Sequence, residues 1–125
     1  MMKSSKSKPA ISLDFKKDRI RIYKRTLHSI GDPEYIQLLI NPENHTLAIW
    51  RSNRFDLRAY RLPRIKVGDK QSFEITSKYL MKSLLGMCNI WQDNKLYRVY
   101  GEIIQNDGII QFNLMKAVIV CETRK

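Results

Sequence analysis

The stretch Ile20-Arg21-Ile22-Tyr23-Lys24-Arg25-Thr26-Leu27 decides the fold. Ile20 and Ile22 alternate with Arg19, Arg21 and Tyr23, the period-2 pattern of a half-buried strand. From Lys24 the period changes: Leu27 and Ile30 stand three apart, as on a short helix face. Gly31 ends that helix, and Asp32-Pro33 forbids its continuation. The same pattern returns without a gap at Phe73-Glu74-Ile75-Thr76-Ser77-Lys78-Tyr79-Leu80. Both stretches read apolar-x-Ile-x-x-basic-x-Leu, and hairpin-forming sequence follows each. The pattern predicts a duplicated strand–helix–strand–strand unit of roughly 50 residues.

The flanking sequence fills in the two units. Ile11, Leu13 and Phe15 alternate, which predicts a first strand. Tyr35–Ile40 and Thr46–Trp50 form a hairpin about the turn cluster Asn41-Pro42-Glu43-Asn44. Arg54–Leu62 reads as another strand, with Phe55, Leu57 and Ala59 on one face. Val67-Gly68-Asp69-Lys70 reads as a connecting loop. In the second half Ser72–Ile75 is a short strand and Ser77 an N-cap. Leu80, Leu84 and Met87 then carry a helix face at i, i+4, i+7. Lys95–Ile104 and Ile109–Val120 flank Asn106-Asp107-Gly108, a strong hairpin turn, with a break in the second arm near Lys116. The expected architecture is α+β: two related strand–helix–β-hairpin halves, residues 11–66 and 67–125, packed as one domain. Residues 1–10, with four Ser or Pro and three Lys, read as a flexible basic tail.

Composition narrows the function. The 125 residues include 23 Lys and Arg against 12 Asp and Glu, a net charge of +11. That excess favours a polyanionic partner. It is uneven, because residues 1–66 hold 15 basic and 6 acidic side chains. No apolar run approaches the roughly 18 residues of a membrane span, so no membrane partner is expected. The N-terminus lacks the apolar core of a signal peptide. Two cysteines far apart give neither a disulfide framework nor a zinc spacing, and a reducing, cytoplasmic location is the expectation.

The basic residues fall into three sets. Lys16, Lys17, Arg19, Arg21, Lys24 and Arg25 crowd ten positions, opposed only by Asp18. On a strand, Arg19, Arg21 and Tyr23 share one face. Guanidinium groups there suit phosphate oxygens, and the tyrosine suits an unpaired base. The ordinary alternative is a solvated strand face. Arg51, Arg54, Arg58, Arg61 and Arg64, with Lys66, form the second set, interleaved with Trp50, Phe55 and Tyr60. Their spacing also fits one helix face, but the hairpin before them favours a strand that exposes Arg54, Asp56, Arg58 and Tyr60. Arginine in place of lysine marks sites where donor geometry is read. The alternative is that Asp56 and other acids absorb these charges. Lys78 and Lys82, four apart on the second helix, form the third set and also read as ordinary surface residues.

Trp50, Phe73, Leu80, Leu84, Phe112 and Leu114 read as core, and Trp91 as a loop anchor. Tyr97 and Tyr100 take opposite strand faces. Catalytic chemistry is thinly represented. No glycine-rich phosphate loop occurs, Cys88 reads as a buried thiol, and no cofactor motif is present. His28 and His45 stand apart from any metal-ligand spacing. Either, with an arginine, would suit a small metal-free ribonuclease.

The doubled unit resembles the strand–helix–strand units of the sliding-clamp family. The resemblance implies sheets outside and helices inside, with Lys24, Arg25, Lys78 and Lys82 facing duplex DNA. Encircling a duplex would take several chains, hence a homo-oligomer. The charge is instead concentrated on the strands and tail. The function expected from the sequence is non-enzymatic binding of nucleic acid, DNA before RNA, through the phosphate backbone. An accessory protein of a mobile element would fit this size. The rival is an inhibitor or adaptor whose basic face docks on an acidic protein or nucleoprotein complex.

Overall fold

Apolar side chains at every second position align in register across neighbouring strands. Leu13 lies opposite Ile20 and Tyr97, and Ile11 opposite Ile22 and Val99. These rows define one buried sheet face. The computed structural model describes residues 8–62, 72–88, 91–92, 94–104 and 108–120. Within them lie strands β1 (Ala10–Asp14), β2 (Arg19–Tyr23), β3 (Tyr35–Asn41), β4 (Thr46–Ser52), β5 (Tyr60–Arg61), β6 (Ser72–Thr76), β7 (Leu96–Ile103), β8 (Ile109–Asn113) and β9 (Val118–Ile119). Helices α1 (Lys24–His28) and α2 (Lys78–Met87) follow β2 and β6. The strands form one curled antiparallel sheet in the order β5-β3-β4-β8-β7-β1-β2-β6, with β9 also paired to β7. The molecule is α+β, mostly sheet.

The curl pivots on β7. Its first half pairs with β1 and β9, and its second half with β8. Gly101 stands opposite Phe112 at that changeover. A Cβ on Gly101 would lie 2.6 Å from the Phe112 ring and 2.9 Å from Ile110, so only glycine admits the ring there. The core runs continuously from Ile20 and Ile75 through Tyr97 and Val99 to Phe112, Leu47 and Ile49. Leu27 and Ile30 close it beside α1, and Met81 and Leu84 beside α2. Thr26 locks α1 to β1: its Oγ1 accepts from Ala10 N–H at 2.8 Å and donates to Ala10 O at 2.7 Å. Ser77 caps α2, its Oγ accepting from Leu80 N–H at 3.1 Å.

The order strand–helix–strand–strand–strand occurs twice, as β2-α1-β3-β4-β5 and β6-α2-β7-β8-β9. Pairings echo each other: β5 on β3, β9 on β7, β2 beside β6 and β4 beside β8.

Three local readings change. Arg54–Leu62 is not a strand. Asn53 Oδ1 accepts from Phe55 N–H at 2.9 Å and Asp56 Oδ1 from Arg58 N–H at 3.0 Å, so two Asx turns bend the chain. Only Tyr60–Arg61 pair, against the start of β3. Trp50 is 43% exposed instead of core, because it takes the face of β4 opposite to buried Leu47 and Ile49. Pro9 and Ala10, assigned to the tail by composition, are buried, and Ala10 opens β1; residues 1–7 lie outside the described residues. The break expected near Lys116 is the 3-10 turn Leu114–Lys116. Trp91 is a buried anchor, its ring centroid 5.3 Å from Phe15 and 5.6 Å from Tyr97. Tyr97 is buried and Tyr100 exposed, on opposite faces.

Candidate nucleic-acid interface

Strand direction sorts the basic side chains. Because all pairings are antiparallel, β2, β4, β5 and β7 end where β1, β3, β6 and β8 begin. This is the α1 end of the sheet, and the opposite rim is the α2 end. Lys24, Arg25, Arg51, Arg54, Arg58 and Arg61 belong to the α1 end. Lys16 and Lys17, in the β1–β2 turn, and Lys78, at the start of α2, belong to the α2 end; Lys82 lies one turn along α2. Arg64 lies outside the described residues. The basic residues singled out in the sequence are therefore divided between the two ends of the sheet.

Arg19 and Arg21 form a separate group on the outer sheet face, where carboxylates meet them. Arg19 Nη1 donates to Glu74 Oε1 at 3.2 Å, and Arg19 Nη2 lies 3.5 Å from Asp14 Oδ2. Arg21 Nε donates to Glu74 Oε2 at 3.0 Å. The register enforces this, since Arg21 stands opposite Glu74 and Arg19 opposite Asp14. Two guanidiniums and two carboxylates compensate each other. The pair that led the first basic set thus has acidic partners that sequence distance hid: Glu74 is more than fifty positions away.

Beside that group Tyr23, read from the sequence as suited to an unpaired base, meets two partners within the protein that the sequence did not reveal, Ser12 and Arg98. Tyr23 Oη is 2.5 Å from Ser12 Oγ and accepts from Arg98 Nη2 at 3.2 Å. The Arg98 and Arg25 guanidinium carbons sit 5.7 and 5.5 Å from the Tyr23 ring centroid. Burial raises the phenol pKa, but the bonds to Ser12 and Arg98 and the charges of Arg98 and Arg21 outweigh it. The net shift is below the ordinary tyrosine value. The hydrogen bond to Tyr23, opposed by burial, in turn raises the Arg98 pKa. Strand alternation was the available signal, because Tyr23 and Arg98 both occupy outward positions.

At the α1 end the arrangement differs. Among the described residues no carboxylate lies within 4 Å of Arg51, Arg54, Arg58 or Arg61. Asp56, the acid in their midst, spends its oxygens on Ser52 Oγ (3.3 Å) and Arg58 N–H (3.0 Å). The segment between β4 and β5 is held further by Asp56 N–H to Asn53 O at 3.2 Å and Ala59 N–H to Asp56 O at 3.0 Å. Leu62 N–H to Glu34 O at 2.8 Å ties its far end to the chain entering β3. Arg51 lies along Gly108, and its Nη1 would be 3.5 Å from a Cβ on Gly31, just past α1. Arg25 Nε donates to Lys8 O at 3.0 Å. The Arg51 side chain thus lies between Gly108 and the chain following α1.

The same segment exposes apolar groups. Phe55 is 79% and Leu57 100% exposed. The Arg54 guanidinium carbon lies 5.0 Å from the Phe55 ring centroid. Neither Phe55 nor Leu57 was expected outside, because the strand reading put both on a buried face.

The histidines do not meet: His28 ends α1, and His45 precedes β4 at the α2 end with a positive φ of 55°. His28 Nδ1 is 2.8 Å from Asp32 Oδ2, an exposed pair. Cys88 is buried, which raises its thiol pKa. No helix among the described residues is long and apolar enough to cross a membrane. No family model, curated protein or solved structure matches the chain.

Proposed function

We propose that the protein is a non-enzymatic nucleic-acid-binding protein that engages phosphates through the α1 end of its sheet. The observation that carries this is the set Arg51, Arg54, Arg58 and Arg61, without a carboxylate partner among the described residues, on a segment whose one aspartate is committed to neutral donors. Lys24 and Arg25 extend the same rim. Guanidiniums left without acids retain their donors for phosphate oxygens. Release of condensed counterions by these side chains would supply the affinity and make it fall with salt. Among the described residues no helix presents a set of base-reading side chains, so binding is expected to depend little on sequence. Arg19 and Arg21 are not part of this proposed surface, since Asp14 and Glu74 already hold them.

The test is fluorescence polarisation with labelled random duplex DNA, single-stranded DNA and RNA near physiological salt. Micromolar binding to at least one polymer, weakened at least tenfold in Arg54→Glu/Arg58→Glu, is expected. Absence of binding to all three would overturn the reading. Fully exposed Leu57 favours a second reading, docking on an acidic protein, because an aliphatic side chain there has no phosphate to meet. That reading gains if no polymer binds.

We also infer that the two strand–helix–strand–strand–strand runs descend from one unit. Ile20–Leu27 and Phe73–Leu80 align without a gap. Strand β2 pairs with its counterpart β6 about Arg21 and Glu74, the central residues of each. Strand β1 has no counterpart among the described residues.

A further inference from the structure

The β4–β5 segment combines arginines with a flat aromatic surface that a duplex cannot use. Phe55 stands 79% exposed, so its burial cannot be why the segment holds its shape. The two Asx turns set that shape, and they fix Phe55 outward between Arg54 and Asp56. The Arg54 guanidinium at 5.0 Å gives the ring a cationic neighbour. Trp50, 43% exposed at the end of β4, adds a second aromatic surface at the same end of the sheet. Bases in a duplex are stacked on one another and keep their faces from a protein ring. Unpaired bases offer those faces, and stacking on a side chain is tolerant of sequence.

We infer that the ligand of the α1 end is single-stranded nucleic acid, with a base stacked on Phe55 and its flanking phosphates held by Arg54 and Arg58. This rests on the proposed phosphate-binding reading and narrows it to unpaired strands. Charge complementarity selects the polyanion, and the exposed ring selects the unpaired form. An anionic membrane or an acidic protein would instead use Phe55 and Leu57 for their apolar area alone. Those two classes of partner separate in the response to a leucine at position 55, which keeps apolar area and removes the ring.

The experiment measures polarisation of labelled 20-nucleotide single strands and of the matching duplex, with the full chain and three variants. Single strands are expected to bind at least fivefold more tightly than duplex. Phe55→Ala and Phe55→Leu should each weaken single-strand binding about five- to 150-fold, the range of one lost stacking contact. Both should leave duplex binding within about twofold. Arg54→Glu/Arg58→Glu should weaken both polymers. Equal affinity for both polymers with no effect of Phe55 variants would overturn this inference and leave the phosphate-binding reading standing. Binding to neither polymer would overturn both. Phe55-dependent binding to phosphatidylserine vesicles, rescued by Phe55→Leu and without strand preference, would assign the segment to a membrane surface and also overturn it. Phe55 is exposed, so these variants are expected to keep the fold, which their circular dichroism checks.

Discussion

Two residues show how a single position sets a local outcome. Gly101 is small because Phe112 needs its space. An alanine there would put Cβ 2.6 Å from the ring and 2.9 Å from Ile110, at the changeover in β7 pairing. Overpacking of this kind costs about 1–3 kcal/mol, so Gly101→Ala should lower the denaturation midpoint accordingly. Chemical unfolding with an unchanged midpoint would mean that Phe112 can move aside. Tyr23 gives a second prediction. Its pKa is lowered in the folded state, so the native state holds the phenol proton less tightly than the unfolded chain does. As pH rises through the folded pKa, the native state loses the proton first and stability grows. The gain is complete above the unfolded value of about 10. On lowering the pH again it disappears through the folded pKa. The stability difference between the wild-type chain and Tyr23→Phe should therefore widen with pH below about 10. Ultraviolet titration should find one early-titrating tyrosine that the variant lacks. A constant difference across that range would refute the assigned charge environment.

At the scale of elements, legibility followed local chemistry. Strand β2, helix α1 and helix α2 were readable because their periodicity and stops are local: Ser77 before Leu80, Gly31 after Ile30. The capping bond predicts that Ser77→Ala destabilises the protein by about 1 kcal/mol, measurable as a shift of thermal midpoint without loss of strand signal. The β4–β5 segment was misread because Phe55, Leu57 and Ala59 alternate like a strand. Asn53 and Asp56 can satisfy the backbone of the following residues themselves, and that local bonding outcompetes a ladder. If so, Asn53→Ala/Asp56→Ala should loosen the segment and speed its amide exchange, leaving β3 and β4 protected. Equal protection in the variant would show that something other than the Asx turns holds it. Trp50 was misplaced for a related reason: the alternation Leu47, Ile49 fixes which face of β4 is inside, and Trp50 falls on the other.

For the whole molecule, the sequence carries the amount of charge but not its distribution. The compensation of Arg19 and Arg21 depends on Asp14 and Glu74 arriving from neighbouring strands, and the sheet register alone decides that. What remains is divided by strand direction, arginines with exposed Trp50 and Phe55 at the α1 end, and Lys16, Lys17 and Lys78 with exposed Tyr79 at the other. A polyanion attracted only by net charge would respond equally to reversals at either end. A polyanion seated on the α1 end would not. Each lost phosphate contact lowers the slope of log affinity against log salt by about 0.7 for single strands. Arg54→Glu/Arg58→Glu should thus flatten the slope by about 1.4, whereas Lys16→Glu/Lys78→Glu, with the same change in net charge, should shift affinity and leave the slope nearly unchanged. Arg19→Gln/Arg21→Gln should act mainly on stability, because Glu74 loses its partners. Equal flattening from the first two pairs would show that binding reads total charge, and the assignment to one end of the sheet would fail.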